Sequence, residues 1–199
     1  MSEKKRSGLE LASRSLVLPV PRRLKVAMEL LPNVEGSAVF SECGRYRYVL
    51  TRTWSDLPDV ARTLVVVGLN PSTATELVDD PTLRRCQHFA RREGFVRLYM
   101  LNLFAFRATD PRELKRCEPH ARVGADNDEV LRGFLNSGSK VVAAWGDAKW
   151  PFVLHRAGTV VRMADRFWCL GRTKGGAPRH PLYVRGDTPL ELLQEKSPP

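Results

Sequence analysis

Five consecutive residues, Thr63-Leu64-Val65-Val66-Val67, carry no charge and run straight into Gly68-Leu69-Asn70-Pro71-Ser72. A run this short and this rich in β-branched side chains reads as a strand buried on both faces. Such a strand needs cover above and below, and the rest of the chain supplies it. Helical patterns span residues 81–93 and 127–135, and a third helix starts within 148–155. Further strands read over 96–101, 140–145 and 167–170, and a short last helix over 189–194. Strand–helix alternation of this kind implies parallel strands with helices on both faces. The expected fold is α/β: a three-layer α/β/α sandwich with a four-stranded parallel central sheet. An N-terminal β-hairpin is added by Ala38-Val39-Phe40 and Tyr46-Arg47-Tyr48-Val49-Leu50-Thr51 around Ser41-Glu42-Cys43-Gly44.

Residues 1–35 are basic, weakly periodic and interrupted by Pro19, Pro21 and Pro32. They read as a leader with one short helix around residues 23–31. Residues 36–199 read as a single domain, long enough to bury a sizeable core. No apolar run is long enough to span a bilayer. The start Met1-Ser2-Glu3-Lys4-Lys5-Arg6 lacks the apolar core of a signal peptide, so a cytoplasmic location is expected. The four cysteines, Cys43, Cys86, Cys117 and Cys169, form no C-x-x-C pair. They are expected as reduced buried thiols, with an iron–sulfur cluster held by all four as the minor alternative.

The formal net charge is +10. Much of it is clustered: Arg84-Arg85, Arg91-Arg92, Arg172-Thr173-Lys174, Arg179 and Arg185. This favours a polyanionic partner such as nucleic acid. Ligands of open parallel sheets bind outside the carboxyl ends of the strands. Asn70, Asn102, Gly146 and the loop from Gly171 to His180 all follow strands, so they are expected to line one cleft.

The order of these segments resembles a known superfamily. Gly68-Leu69-Asn70-Pro71-Ser72 follows one strand and Asn102 ends the next. Ala144-Trp145-Gly146-Asp147-Ala148 follows the third, and His180-Pro181-Leu182 comes near the end. Together they resemble the uracil-DNA glycosylase superfamily, over roughly residues 63–193. The stretches Asn70-Pro71-Ser72-Thr73-Ala74, residues 79–86, Asn102-Leu103-Phe104-Ala105 and residues 178–183 identify the chain more closely as a member of the DUF1643 family.

The resemblance implies a uracil-DNA glycosylase-like sheet and assigns roles. Asn70 would orient the attacking water through its amide oxygen, since an amide is no strong base. Asn102, with Leu69 and Phe104, would bind the base, its amide offering both a donor and an acceptor. His180 would donate to a carbonyl oxygen of the departing base. Phe89 reads as core from its helical spacing, and Phe106 is a second candidate for the ring that sandwiches the base.

Two stretches depart from the superfamily pattern. His-Pro-Leu-Tyr replaces His-Pro-Ser-Pro-Leu, so Leu182 or Tyr183 is a candidate wedge and Tyr183 a candidate stacking ring. Asp79-Asp80-Pro81-Thr82-Leu83-Arg84-Arg85 has no counterpart. Asp80 before Pro81 reads as a helix N-cap. The alternative is that Asp79 or Asp80 reaches the cleft and supplies the base that Asn70 cannot. Ser72, Arg84, Arg85, Lys174, Arg179 and Tyr183 are the expected DNA contacts, the arginines gripping phosphates. The Gly171–Gly176 stretch reads as a flexible basic loop.

The expected activity is that of a monofunctional DNA glycosylase. It would hydrolyse the N-glycosidic bond of a damaged or modified base, including hypermodified viral bases, and leave an abasic site. No cofactor, no metal and no obligate protein partner is expected. The alternatives are a nucleotide- or nucleotide-sugar-processing enzyme, or a non-catalytic nucleic-acid-binding module on the same fold.

Overall fold

The computed structural model describes residues 25–31, 34–54 and 62–196. The leader expected over residues 1–24 lies outside them. Along the described chain run β1 (Lys25–Leu31), β2 (Val34–Phe40), β3 (Arg47–Thr53), β4 (Thr63–Gly68) and α1 (Pro81–Arg92). Then follow β5 (Arg97–Asn102), α2 (Pro119–Val123), α3 (Asn127–Leu135), β6 (Lys140–Ala143), α4 (Pro151–Val161), β7 (Arg166–Cys169) and β8 (Glu191–Glu195). Short 3-10 turns occupy Pro111–Arg116 and Pro181–Tyr183.

The fold is mixed α/β. Its eight strands form one sheet in the order β1-β2-β3-β5-β4-β6-β7-β8. The expectation of a four-stranded parallel sheet is therefore corrected. Pairings β1–β2, β2–β3, β3–β5 and β7–β8 are antiparallel. The parallel pairings β5–β4, β4–β6 and β6–β7 lie between them. The hairpin β2–β3 is present and continues the sheet, with Leu50 opposite Met100 on β5. Two segments expected as helices are edge strands: Lys25–Leu31 pairs along its whole length with β2, and Glu191–Glu195 pairs with β7. Segments of five to seven residues hold too few turns to show a helical repeat, and an open sheet edge offers partners to the backbone groups that face it.

Alternation along β4 assigns its two faces. Val65 and Val67 pack with α3 and α4 residues such as Val130, Leu131, Phe134 and Val153. Leu64 and Val66 pack with Leu83, Cys86 and Ala90 of α1. At roughly 25 cal/mol per Å² of apolar surface removed from water, these two cores carry the folding energy. Helix α1 begins where expected. Asp80 is its N-cap, the Asp80 Oδ1 accepting from the Leu83 N–H at 2.7 Å, with Pro81 in the first turn.

Between β4 and α1 the chain crosses the sheet over β2 and β3, pinned by two buried arginines. Arg52, fully buried, donates to the Thr75 carbonyl at 2.6 Å and to Asp79 at 2.8 Å. Arg47 donates to the Ala74 carbonyl. A Cβ on Gly36 would stand 2.1 Å from the Glu76 carbonyl oxygen, so this crossing requires glycine beneath it. Among the described residues, no helix is long and apolar enough to cross a membrane.

The cysteines separate. Cys86 and Cys169 are buried, and burial pushes their thiols up to about 12 and about 11. Cys43 is exposed in the hairpin turn and Cys117 is half-buried, which corrects the expectation of four buried thiols. All four are free. Among the described residues, no three His, Cys, Asp or Glu side chains gather as metal ligands.

Candidate functional site

The carboxyl ends of β4, β5, β6 and β7 open on one cleft of about 810 Å³. Its lining includes Leu69 and Asn70 after β4, Asn102 at the end of β5, and Trp145, Gly146 and Asp147 after β6. The loop after β7 contributes Lys174, Arg179, His180, Leu182 and Tyr183. Asp80 and Ser72 complete the set from the β4–α1 crossing. Nine of the expected site residues thus share one wall or rim: Leu69, Asn70, Ser72, Asp80, Asn102, Lys174, Arg179, His180 and Tyr183.

Asn70 is held by its amide nitrogen, which donates to the Ala108 carbonyl at 2.8 Å and to the Pro71 carbonyl at 3.0 Å. Carbonyls only accept, so they fix which end of the amide is nitrogen. The side-chain oxygen has no partner among the described residues and serves as an acceptor at the cleft wall. Asn102 is 2% exposed, and its Nδ2 is enclosed without a hydrogen-bond partner. An orphaned buried donor costs about 1–3 kcal/mol, which a ligand acceptor would recover. Its backbone is fixed from behind, where the Asn127 amide nitrogen donates to the Asn102 and Leu103 carbonyls at 3.2 and 3.1 Å.

His180 caps the turn Pro181–Tyr183. The Leu182 N–H donates to its Nδ1 at 3.4 Å. That leaves Nε2 to carry the proton of a neutral imidazole. Burial pushes the His180 pKa below the ordinary histidine value, against the opposing pull of Asp80. The ring is therefore a neutral donor at neutral pH. Gly146 holds φ +76° beside it, and a Cβ there would lie 3.3 Å from that of His180.

Asp80 caps α1 through Oδ1 and also lines the cleft. Asp79 does not line the cleft. It accepts from Arg52 and, at 2.5 Å, from the Gln87 amide. Leu182 and Tyr183 stand on the rim, 42% and 78% exposed. The Gly171–Gly176 stretch is a closed turn: the Thr173 N–H donates to the Ala177 carbonyl at 2.8 Å and the Gly176 N–H to the Thr173 carbonyl at 2.9 Å.

Three expected site residues fall elsewhere. Phe104 is 2% exposed and packs edge-on against Phe152, because its side chain joins the core cluster that includes α3 and α4 residues. Arg84 lies outside the cleft and donates to the Asp79 carbonyl at 2.5 Å. Arg85 donates to the Val184 and Pro181 carbonyls, so it braces the His180 loop rather than facing a phosphate. Phe89 is in the core as expected, and Phe106 lies outside the main cleft.

Sequence reasoning also passes over Trp150 and Arg47, both of which line the cleft. Trp150 precedes α4, stacks on Phe152 at 5.6 Å, and offers an aromatic ring to the cleft in place of Phe104. Arg47 is 3% exposed, yet no carboxylate pairs with it among the described residues and its Nε has no partner. Burial, with repulsion from Arg107 and Arg52, pushes its pKa down to about 10, against the attraction of Asp80. It remains a cation at neutral pH. The cleft thus combines fixed acceptors at Asn70 and Asp80 with fixed donors at Asn102, His180 and Arg47.

One family model matches residues 47–182, that of a protein of unknown function (DUF1643). No curated protein and no solved structure matches the chain.

Proposed function

The chain belongs to the DUF1643 family, and from the site within its matched residues we propose that it is a DNA glycosylase with an active centre like that of the uracil-DNA glycosylase superfamily. The observation that carries this reading is a pair lining one cleft: an amide oxygen at Asn70 with no partner among the described residues, and a neutral imidazole at His180 whose Nε2–H has none either. One partner suits a water and the other a heterocycle's carbonyl oxygen.

The chemistry follows from that pairing. The base leaves the stack and enters the cleft, at a cost of a few kcal/mol. The C1′–N bond breaks with both electrons passing to the base. The His180 Nε2–H donates to a base carbonyl oxygen, and this bond strengthens as negative charge develops. Asn70 Oδ1 holds a water whose oxygen adds to C1′. The water's proton passes to solvent or to the Asp80 carboxylate, and the base anion takes a proton from solvent. Asn102 Nδ2 gains an acceptor on the base edge, and Trp150 provides a stacking face. Lys174 and Arg179 at the rim face the DNA backbone, and Tyr183, with Leu182, is the candidate wedge for the vacated stack.

The cleft volume of about 810 Å³ lies high in the range of about 300–1,000 Å³ typical of small-molecule sites. It favours a base larger than uracil, including hypermodified viral bases. The test is a set of duplexes carrying uracil, hypoxanthine, hydroxymethylated or glucosylated bases. Alkali-labile abasic sites and a released base detected by mass spectrometry are expected for at least one, and are lost in Asn70→Ala and His180→Ala. Absence of both signals across the whole set overturns the reading.

A further inference from the structure

We infer that the recess beside the main cleft, between Arg45 and Arg107, is a phosphate site that takes a backbone phosphate of the strand whose base enters the cleft. The inference rests on the glycosylase reading for the identity of the strand, and on the recess itself for the phosphate.

The recess has a volume of about 370 Å³. It shares Ser72, Ala108 and Thr109 with the main cleft, so the two cavities meet along one wall. Its charged lining residues are Arg45 and Arg107, and hydroxyls come from Ser72, Thr73 and Thr109. Among the described residues, no carboxylate lines it. A concavity with two guanidinium groups, three hydroxyls and no acid matches a phosphate diester, which only accepts.

The two arginines are already positioned. Arg107 Nη1 donates to the Gly44 carbonyl at 3.0 Å, and its guanidinium lies 5.0 Å above the Phe40 ring. Its Nε is enclosed with no hydrogen-bond partner among the described residues. Arg45 lies 5.9 Å above Phe106, another residue of the recess wall. Side chains held on rings lose little freedom when an anion arrives. The local field also favours an anion: after burial, and against the attraction of Asp80, repulsion from Arg107 helps to lower the pKa of the Arg47 guanidinium. The hairpin turn that carries Gly44 and Arg45 and the chain after β5 that carries Arg107 are both fixed to the sheet. Arg107 N–H donates to the Arg45 carbonyl at 3.0 Å.

The test compares the intact protein with the double variant Arg45→Gln/Arg107→Gln. A control of equal charge change, Arg62→Gln/Lys140→Gln, lies at the opposite, amino ends of β4 and β6. Affinity for a fluorescent duplex is read by anisotropy over a range of salt. The recess variant is expected to lose about tenfold in affinity and its salt slope to fall by about 1, as for one lost phosphate contact. The control and Arg45→Lys/Arg107→Lys are expected to keep the slope. Circular dichroism of the recess variant verifies that it is folded. Inorganic phosphate is titrated in parallel by calorimetry.

Unchanged affinity and slope in a folded recess variant overturn the inference and leave the glycosylase reading standing. Failure of the intact protein to bind any duplex removes the glycosylase reading. The recess then survives only if inorganic phosphate binds and the Gln variant abolishes that binding; no phosphate binding overturns it as well.

Discussion

Arg85 on α1 donates to the carbonyl oxygen of Val184 at 2.5 Å, tying the helix to the end of the turn that carries His180. A weaker bond to the Pro181 carbonyl and a position 4.9 Å above the Phe89 ring complete the brace. Arg85→Met keeps the apolar stem and removes both bonds. Misplacing a catalytic group by about 1 Å can cost about a hundredfold in rate. The expected outcome is a fall of about ten- to a hundredfold in single-turnover base release, with DNA affinity and salt slope unchanged. A reduced slope would return Arg85 to the DNA-contacting set.

Gly68 and Asn102 are paired opposite each other on β4 and β5, and a Cβ on Gly68 would stand 2.9 Å from Asn102 Oδ1 and 3.3 Å from Met100 Cε. Gly68→Ala therefore pushes the Asn102 amide out of position. Overpacking of this kind costs about 1–3 kcal/mol. Urea unfolding is expected to show that cost, while activity of the fully folded protein drops further than stability does. Full activity at the wild-type rate would show that the Asn102 amide reads nothing.

Asn102→Asp exchanges the orphaned donor at Nδ2 for an acceptor within the same outline. A site that matches a base acceptor rejects an analogue that fails to pair, because a buried group is left unsatisfied. Preference among the modified duplexes is expected to change, measured as the ratio of single-turnover rates for two bases. An unchanged ratio removes Asn102 from the pocket.

Asp79 separates structural from chemical use of the acidic pair. It is 27% exposed and faces a guanidinium, Arg52, that is fully buried. Removing one partner of a buried pair costs about 3–5 kcal/mol, and the partial exposure of Asp79 puts Asp79→Asn nearer about 2–3 kcal/mol. Urea unfolding is the measurement. Loss of base release at undiminished stability would instead make Asp79 a participant in the reaction.

The legible parts of this molecule are those where local chemistry and tertiary placement agree. Asp80-Pro81 fixes the start of α1 by capping and by proline's preset φ, and Val65–Val67 must be a covered strand whatever surrounds it. The strand-end residues Asn70 and Asn102 reach the cleft because parallel strands align their carboxyl ends. Arg47 and Arg52 were not legible. Nothing in the local sequence marks them as buried, and only the chain crossing over β2 and β3 covers them. Phe104 misled for a related reason: proximity to Asn102 in sequence does not say that its side chain joins the core with α3 and α4. The edge strands β1 and β8 depend on partners far along the chain, and no local period of five to seven residues announces such pairing.

His180 gives the pH signature. Its pKa in the folded protein lies below the ordinary value of 6.5, because burial disfavours the imidazolium more than Asp80 favours it. Between the folded and unfolded values the unfolded chain binds more protons, so stability rises with pH across that window. The contribution is complete above 6.5 and is lost as pH falls through the folded pKa. Protonation also removes the Nδ1 lone pair that accepts from Leu182 N–H, so the turn loosens together with the ring it carries. The stability difference between wild type and His180→Asn, measured by urea unfolding from pH 8 to pH 5, is expected to stay level above 6.5 and to shrink below it. Base release is expected to fall over the same range. A difference that grows as pH falls would mean that Asp80 holds the imidazolium in place, and the neutral donor would then be the wrong species for the reaction.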